Sequence, residues 1–344
     1  MEVNVSTNDS ITVEDHQEFF PVVVIVVTLG ILSEILNCGM FILIIKMRSL
    51  RQNPYHFQVL MLSVSDFLTG LSNILVGPQY AFPSLKRERT FIIFHVLLMM
   101  NGLYLSLLQT FLISLQRFTV ICKGNWNTTL FCGKRKYVVC FGCWLALSIT
   151  SCAFLSPPSR SFEEAYDGKR IIPFVYQGHY EAFTNYNRTL FLFLILSTIL
   201  LYVTSVRYVS KNLRMVKIRC TQVKVIQVQM APSSSRTNDS NTYSSTEQSV
   251  QRPHTNGFYQ ITQAGHKKIV QTMYLVGLII AVLILFTGPL MFYVWVENGP
   301  SELMGLTIST SGITALVNPI LYGWKIEAVR KQIALLCLKI KKIF

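Results

Sequence analysis

Charge is scarce in this chain, and acidic charge is scarcer still. Only 14% of the 344 residues are charged, and 17 Asp and Glu stand against 31 Lys and Arg. A soluble domain carries about a quarter of its residues as charged side chains, so water is excluded as the main surroundings of a chain that is 51% hydrophobic. No leader is expected either. The amino-terminal MEVNVSTNDS has neither the basic start nor the apolar stretch of a cleaved signal, and the first hydrophobic segment is expected to direct insertion itself. The sequence offers no nucleophile and base pair and no clustered metal ligands, which argues against an enzyme.

What is present is a series of long apolar blocks. A bilayer core about 30 Å thick asks for roughly 20 apolar residues per helical crossing. Seven segments meet that length, at about 20–46, 56–80, 90–121, 136–156, 188–210, 268–296 and 301–323. The expected fold is therefore an all-α integral membrane protein, a seven-transmembrane-helix bundle, with 1–19 as an extracellular amino-terminal segment and 324–344 as a tail. Lys and Arg are retained on the cytoplasmic side. With the amino terminus outside, the inner segments hold 24 Lys and Arg against 3 Asp and Glu, and the outer ones hold 7 against 12. These cations flank hydrophobic spans, where anionic lipid rather than nucleic acid is the natural partner. The same topology puts the glycosylation triplets at Asn4, Asn8 and Asn187 outside and points to a multi-pass protein of the plasma membrane.

On that topology no extracellular loop contains a cysteine, since Cys38, Cys140, Cys143 and Cys152 fall in spans and Cys122, Cys132, Cys220 and Cys337 are cytoplasmic. No external disulfide framework is expected. The third cytoplasmic loop is rich in Ser, Thr, Asn and Pro between about 225 and 262 and has too few large apolar residues to order itself. Before it, Arg207, Lys211, Arg214, Lys217 and Arg219 recur at helical spacing, so the fifth helix is expected to project past the bilayer. Ile326, Val329, Ile333, Cys337 and Ile340 form an apolar stripe in the tail, which predicts a short interfacial eighth helix with Cys337 as a lipidation candidate. The tail from Lys325 onward has no Ser or Thr. Phosphorylation is expected instead in the loop tract Ser233 to Ser249.

Ionisable groups inside a bilayer are costly and need a partner or a cavity. Asp66, in the second span, has no basic residue near it in sequence. Ser106 of the third span is a candidate hydroxyl partner or an oxygen ligand for a hard cation. Arg117 ends the third span, where it snorkels to headgroups or serves a protein partner. Asn318-Pro319-Ile320-Leu321-Tyr322 gives the last span a proline, a freed carbonyl and a hinge near its inner end.

Taken in order, Asn37, Leu62 with Asp66, Arg117, Trp144, Tyr202, Pro289 and the run from Asn318 to Tyr322 resemble the motifs of the rhodopsin-like (class A) G-protein-coupled receptors over nearly the whole chain. The resemblance implies a ligand site between the outer helix halves and an inner opening for a heterotrimeric G protein, with Arg117, Tyr202, Asn318, Pro319 and Tyr322 in coupling and activation. It also implies a partial sodium site at Asp66 and Ser106; no other cofactor is expected.

Several positions depart from that pattern. Ile92 stands where a bridging cysteine is usual, Thr287 where a sixth-helix aromatic is usual, and Gln116 and Ile269 where acids flank the third-helix arginine. An arginine without a carboxylate loses charge-assisted bonds that favour a closed state, so raised basal activity is expected. Gly102, Thr314 and Ala315 replace polar members of the sodium site. Met99 replaces the aspartate that pairs with charged amines, and the seventh span lacks the lysine of a retinal opsin. The extracellular ligand is thus unknown, with Met99, Met100, Leu103, Leu290, Met291 and Met304 as a candidate apolar lining. The alternatives are a non-signalling or decoy protein of the same fold and, less favoured, a membrane transporter.

Overall fold

The computed structural model describes residues 13–47, 52–86, 88–155, 180–229, 270–271, 273–289 and 301–341. Its helices are α1 (Val13–Lys46), α2 (Pro54–Ala81), α3 (Arg89–Cys122), α4 (Gly124–Phe131), α5 (Arg135–Ala153) and α6 (Tyr180–Gln229). They are followed by α7 (Met273–Pro289), α8 (Ser301–Lys325) and α9 (Glu327–Lys341). No strand occurs among the described residues. The seven expected spans correspond to α1, α2, α3, α5, α6, α7 and α8, and α9 is the expected tail helix.

By length and composition α1, α2, α3, α5 and α6 are each able to cross a bilayer, and α7 is a shorter apolar helix. Residues 290–300, which include the outer end of the sixth span, lie outside the described residues. So do Asn4, Asn8, Ile269 and the tract Ser233 to Ser249. The fifth span starts earlier than the expected 188, because Tyr180 already opens α6. The helix also runs on to Gln229, well past the apolar window that closes at Lys211. The projecting helix is therefore present, and the tract expected to be disordered from about 225 is helical as far as Gln229; the rest of it lies outside the described residues.

Polarity in the bundle is inverted relative to a soluble protein. On α5 the exposed residues Val138, Phe141, Leu145 and Ile149 recur every three or four positions, as do Phe193, Leu196, Leu200 and Val203 on α6. That is the period of one helix face, and here it is an apolar face turned outward. The buried set includes Asn37, Asp66, Ser106, Thr287, Thr314 and Asn318, as expected where lipid is the solvent.

Helix α2 lies between α1 and α3, α3 packs on α5 and α6, and α8 closes against α1 and α2. Gly102 allows a close approach of α2 and α3: a Cβ there would sit 2.7 Å from the backbone nitrogen of Thr69. Gly133, with φ of 59°, turns the chain between α4 and α5. The tail helix docks its first turn inward through Ile326 and Val329, both buried, while Ile333, Leu335 and Leu338 face outward. The apolar surface of α9 is therefore split between protein and the surroundings.

Candidate functional site

The polar interior is organised around Asp66. The Ser106 hydroxyl on α3 donates to its Oδ1 at 2.9 Å, and Nδ2 of Asn318 on α8 donates to its Oδ2 at 2.8 Å. Asp66 is 1% exposed. One carboxylate thus joins three spans, each oxygen taking a directed bond in place of water. A second link runs beside it. Asn37 on α1 donates through Nδ2 to the Ala315 carbonyl of α8 at 2.9 Å, and also to the Ser33 carbonyl at 3.0 Å. Thr287 on α7 and Thr314 on α8 bring their hydroxyls to 3.3 Å, so the sixth and seventh spans meet through hydroxyls where the sequence lacks the aromatic.

A small cavity lies at this junction, lined by Asp66, Thr69, Leu103, Ser106, Leu283, Thr287, Thr314 and Ala315. About 10 Å³ of it is open to the centre of a water molecule, room for roughly one such molecule or an ion of similar size. Its polar lining consists of oxygen donors, one carboxylate and four hydroxyls, a set that suits a small hard cation. Gly102 instead packs on Thr69. Thr314, one of the replacements, restores a hydroxyl.

At the inner end, Arg117 is folded over the ring of Tyr55, its guanidinium carbon 3.8 Å from the ring centroid. Arg117 therefore does not simply snorkel outward. Tyr55 is buried and lies in the first turn of α2, where Asn53 caps the helix by accepting the Tyr55 N–H at 2.9 Å and Pro54 starts it. Sequence reasoning missed Tyr55. The Asn-Pro start of the helix was a signal for where its first turn lies, but the crossing of α2 and α3 that faces the two side chains is not written locally.

The other expected coupling residues lie on α6 and α8. Tyr202 of α6 presses its hydroxyl against Gly277 of α7, tying the fifth span to the sixth. Tyr322 is fully buried on α8, about one helical turn beyond Asn318, with Pro319 between them in the same helix. Gln116 is buried, and its Oε1 has no hydrogen-bond partner among the described residues.

The outer candidates fare differently. Met100 and Leu103 are core residues, with Leu103 facing the cavity beside Asp66, while Met99 is half-buried against the core. Leu290 and Met291 lie outside the described residues, as do the side chains of Met304 and Cys337. Half of the expected apolar lining thus lies outside the described residues. Asn187 sits within α6 at 4% exposure, a position in which its amide has little room for a glycan.

No curated protein sequence matches the chain. The model of the seven-transmembrane receptors of the rhodopsin family matches it over residues 36–322, a stretch that takes in the Asp66 network, Arg117 and Tyr322. The chain belongs to the rhodopsin family of seven-transmembrane receptors.

Proposed function

We propose that this receptor passes an extracellular ligand signal to heterotrimeric G proteins across the plasma membrane, with its amino terminus outside and its carboxyl terminus in the cytosol. The observation that carries this reading is the Asp66 network. It links α2, α3 and α8, and α3 and α8 also bear Arg117 and Tyr322. A change in how the outer halves pack alters the partners of Asp66, and the same helices carry that change to the inner end.

The oxygen-lined cavity supports sodium as a modulator, held by Asp66 and Ser106. The basic extension of α6 and the tail helix α9 support contact with anionic lipid. Phosphorylation of the third cytoplasmic loop is the proposed route to an arrestin-like partner, and Asn4 and Asn8 are the preferred glycan sites. Acylation of Cys337 would anchor α9.

The test is guanine-nucleotide exchange on a panel of G proteins, measured with the receptor in vesicles during a ligand screen. Ligand-dependent exchange is the expected result. Binding without exchange on any G protein would mark a decoy, and solute flux through the vesicles would mark a transporter; either contradicts the proposal.

A further inference from the structure

We propose that Tyr55 is the restraint on Arg117, holding it away from a cytoplasmic partner through a cation–π stack that stands where an ion pair is absent. The inference rests on the coupling role proposed for the inner end. No acidic residue occurs in 46–65, 107–136, 207–229 or 266–289, so no carboxylate is available from the inner ends of the first six spans or from the extension of α6. Arg117 lies instead over the Tyr55 ring at 3.8 Å, and its Nε is buried without a hydrogen-bond partner among the described residues. A guanidinium over an aromatic face within 6 Å is attracted by the ring quadrupole, more strongly when both are out of water.

Tyr55 is built to stay in place. Its backbone N–H is taken by Asn53 and its helix starts at Pro54. One residue before that cap, the Gln52 carbonyl accepts from the Lys136 ammonium of α5 at 3.1 Å. Two residues after Tyr55, Phe57 packs edge-on against Tyr137 of α5 at 4.7 Å. The start of α2 is thereby fastened to α5 on both sides of Tyr55, and the ring is a fixed platform rather than a passing contact.

A cation committed to that face is not offered to a docking protein. The stack and the partner compete for the same group, and the stack biases the equilibrium toward the uncoupled form. A desolvated cation–π contact corresponds to a bias of roughly five- to thirtyfold.

The experiment places Phe, then Phe with one, two or three ring fluorines, at position 55, beside Tyr55→Leu, and measures basal nucleotide exchange in vesicles. Fluorination weakens the quadrupole with little change of shape, so it separates the stack from packing. Tyr55→Phe is expected to match the native receptor, exchange to climb with each fluorine, and Tyr55→Leu to raise it about tenfold. A flat fluorine series, or lower exchange in Tyr55→Leu, overturns the proposal. A parallel measurement follows the distance between spin labels at Val120 and Val270, both exposed, in a cysteine-depleted background. If the native receptor and every variant lack exchange, the coupling reading fails, and the labels alone then decide. Widening that grows with fluorination supports the stack, and an unchanged distance overturns it. Should Tyr55→Leu fail to fold, the near-isosteric fluorinated series carries the test.

Discussion

Asp66 shows what a carboxylate in the interior of a bundle requires. An ion taken out of water costs several kcal/mol unless dipoles replace its hydration, and here Ser106 and Asn318 each give one hydrogen bond while the cavity offers space for a further group. If that group is sodium, the purified receptor melts at a higher temperature in sodium chloride than in the chloride of a large organic cation, and Asp66→Asn removes the difference; a salt effect that survives in the variant contradicts the assignment. Gln116 gives a second prediction at this scale. Gln116→Asp places a carboxylate next to Arg117 in sequence, and a charge-assisted bond is expected to lower basal exchange in cells by roughly tenfold; equal or higher exchange would count against it. Asp66, Ser106, Arg117 and Asn318 were legible in the sequence because a polar group inside a long apolar run needs a reason. Tyr55 and the Ala315 carbonyl were not. An aromatic at a helix start and a backbone acceptor are ordinary locally, and their roles exist only once α2 crosses α3 and α1 meets α8.

Elements were legible to the extent that apolar length defines them. Five helices cross by that criterion, and the cation spacing after Tyr202 foretold the extension of α6. The short α4 was not foreseen, since GNWNTTLF combines Asn, Thr and Gly, which favour turns, and its helix is held between α3 and α5. How closely helices approach was also invisible, because a small residue reads alike on a lipid face and at an interface. Gly102 and Gly142 make the contrast measurable. Gly102→Ala meets the Thr69 backbone, which cannot yield as a side chain does, whereas nothing lies within 4 Å of a Cβ at Gly142. Gly102→Ala is expected to cost about 1–3 kcal/mol and Gly142→Ala to stay within roughly 0.5 kcal/mol of native or gain slightly. Thermal unfolding in detergent compares them, and equal melting temperatures would contradict the packing of α2 on α3.

For the whole molecule, one physical asymmetry underlies everything else: polar side chains turned inward, apolar ones outward, and cations collected at one end. The first two are features of the described bundle, and the third is a property of the sequence that acquires meaning only across a membrane. The ligand was not legible, because binding specificity depends on the outer ends of the spans and on the second extracellular loop, where composition does not determine conformation. The most direct test of the central claim attaches different epitopes to the two ends of the full chain and stains cells before and after permeabilisation. The account predicts that the amino-terminal epitope is reached in intact cells and the carboxyl-terminal one only after permeabilisation. Both epitopes accessible, or both protected, in intact cells would contradict it.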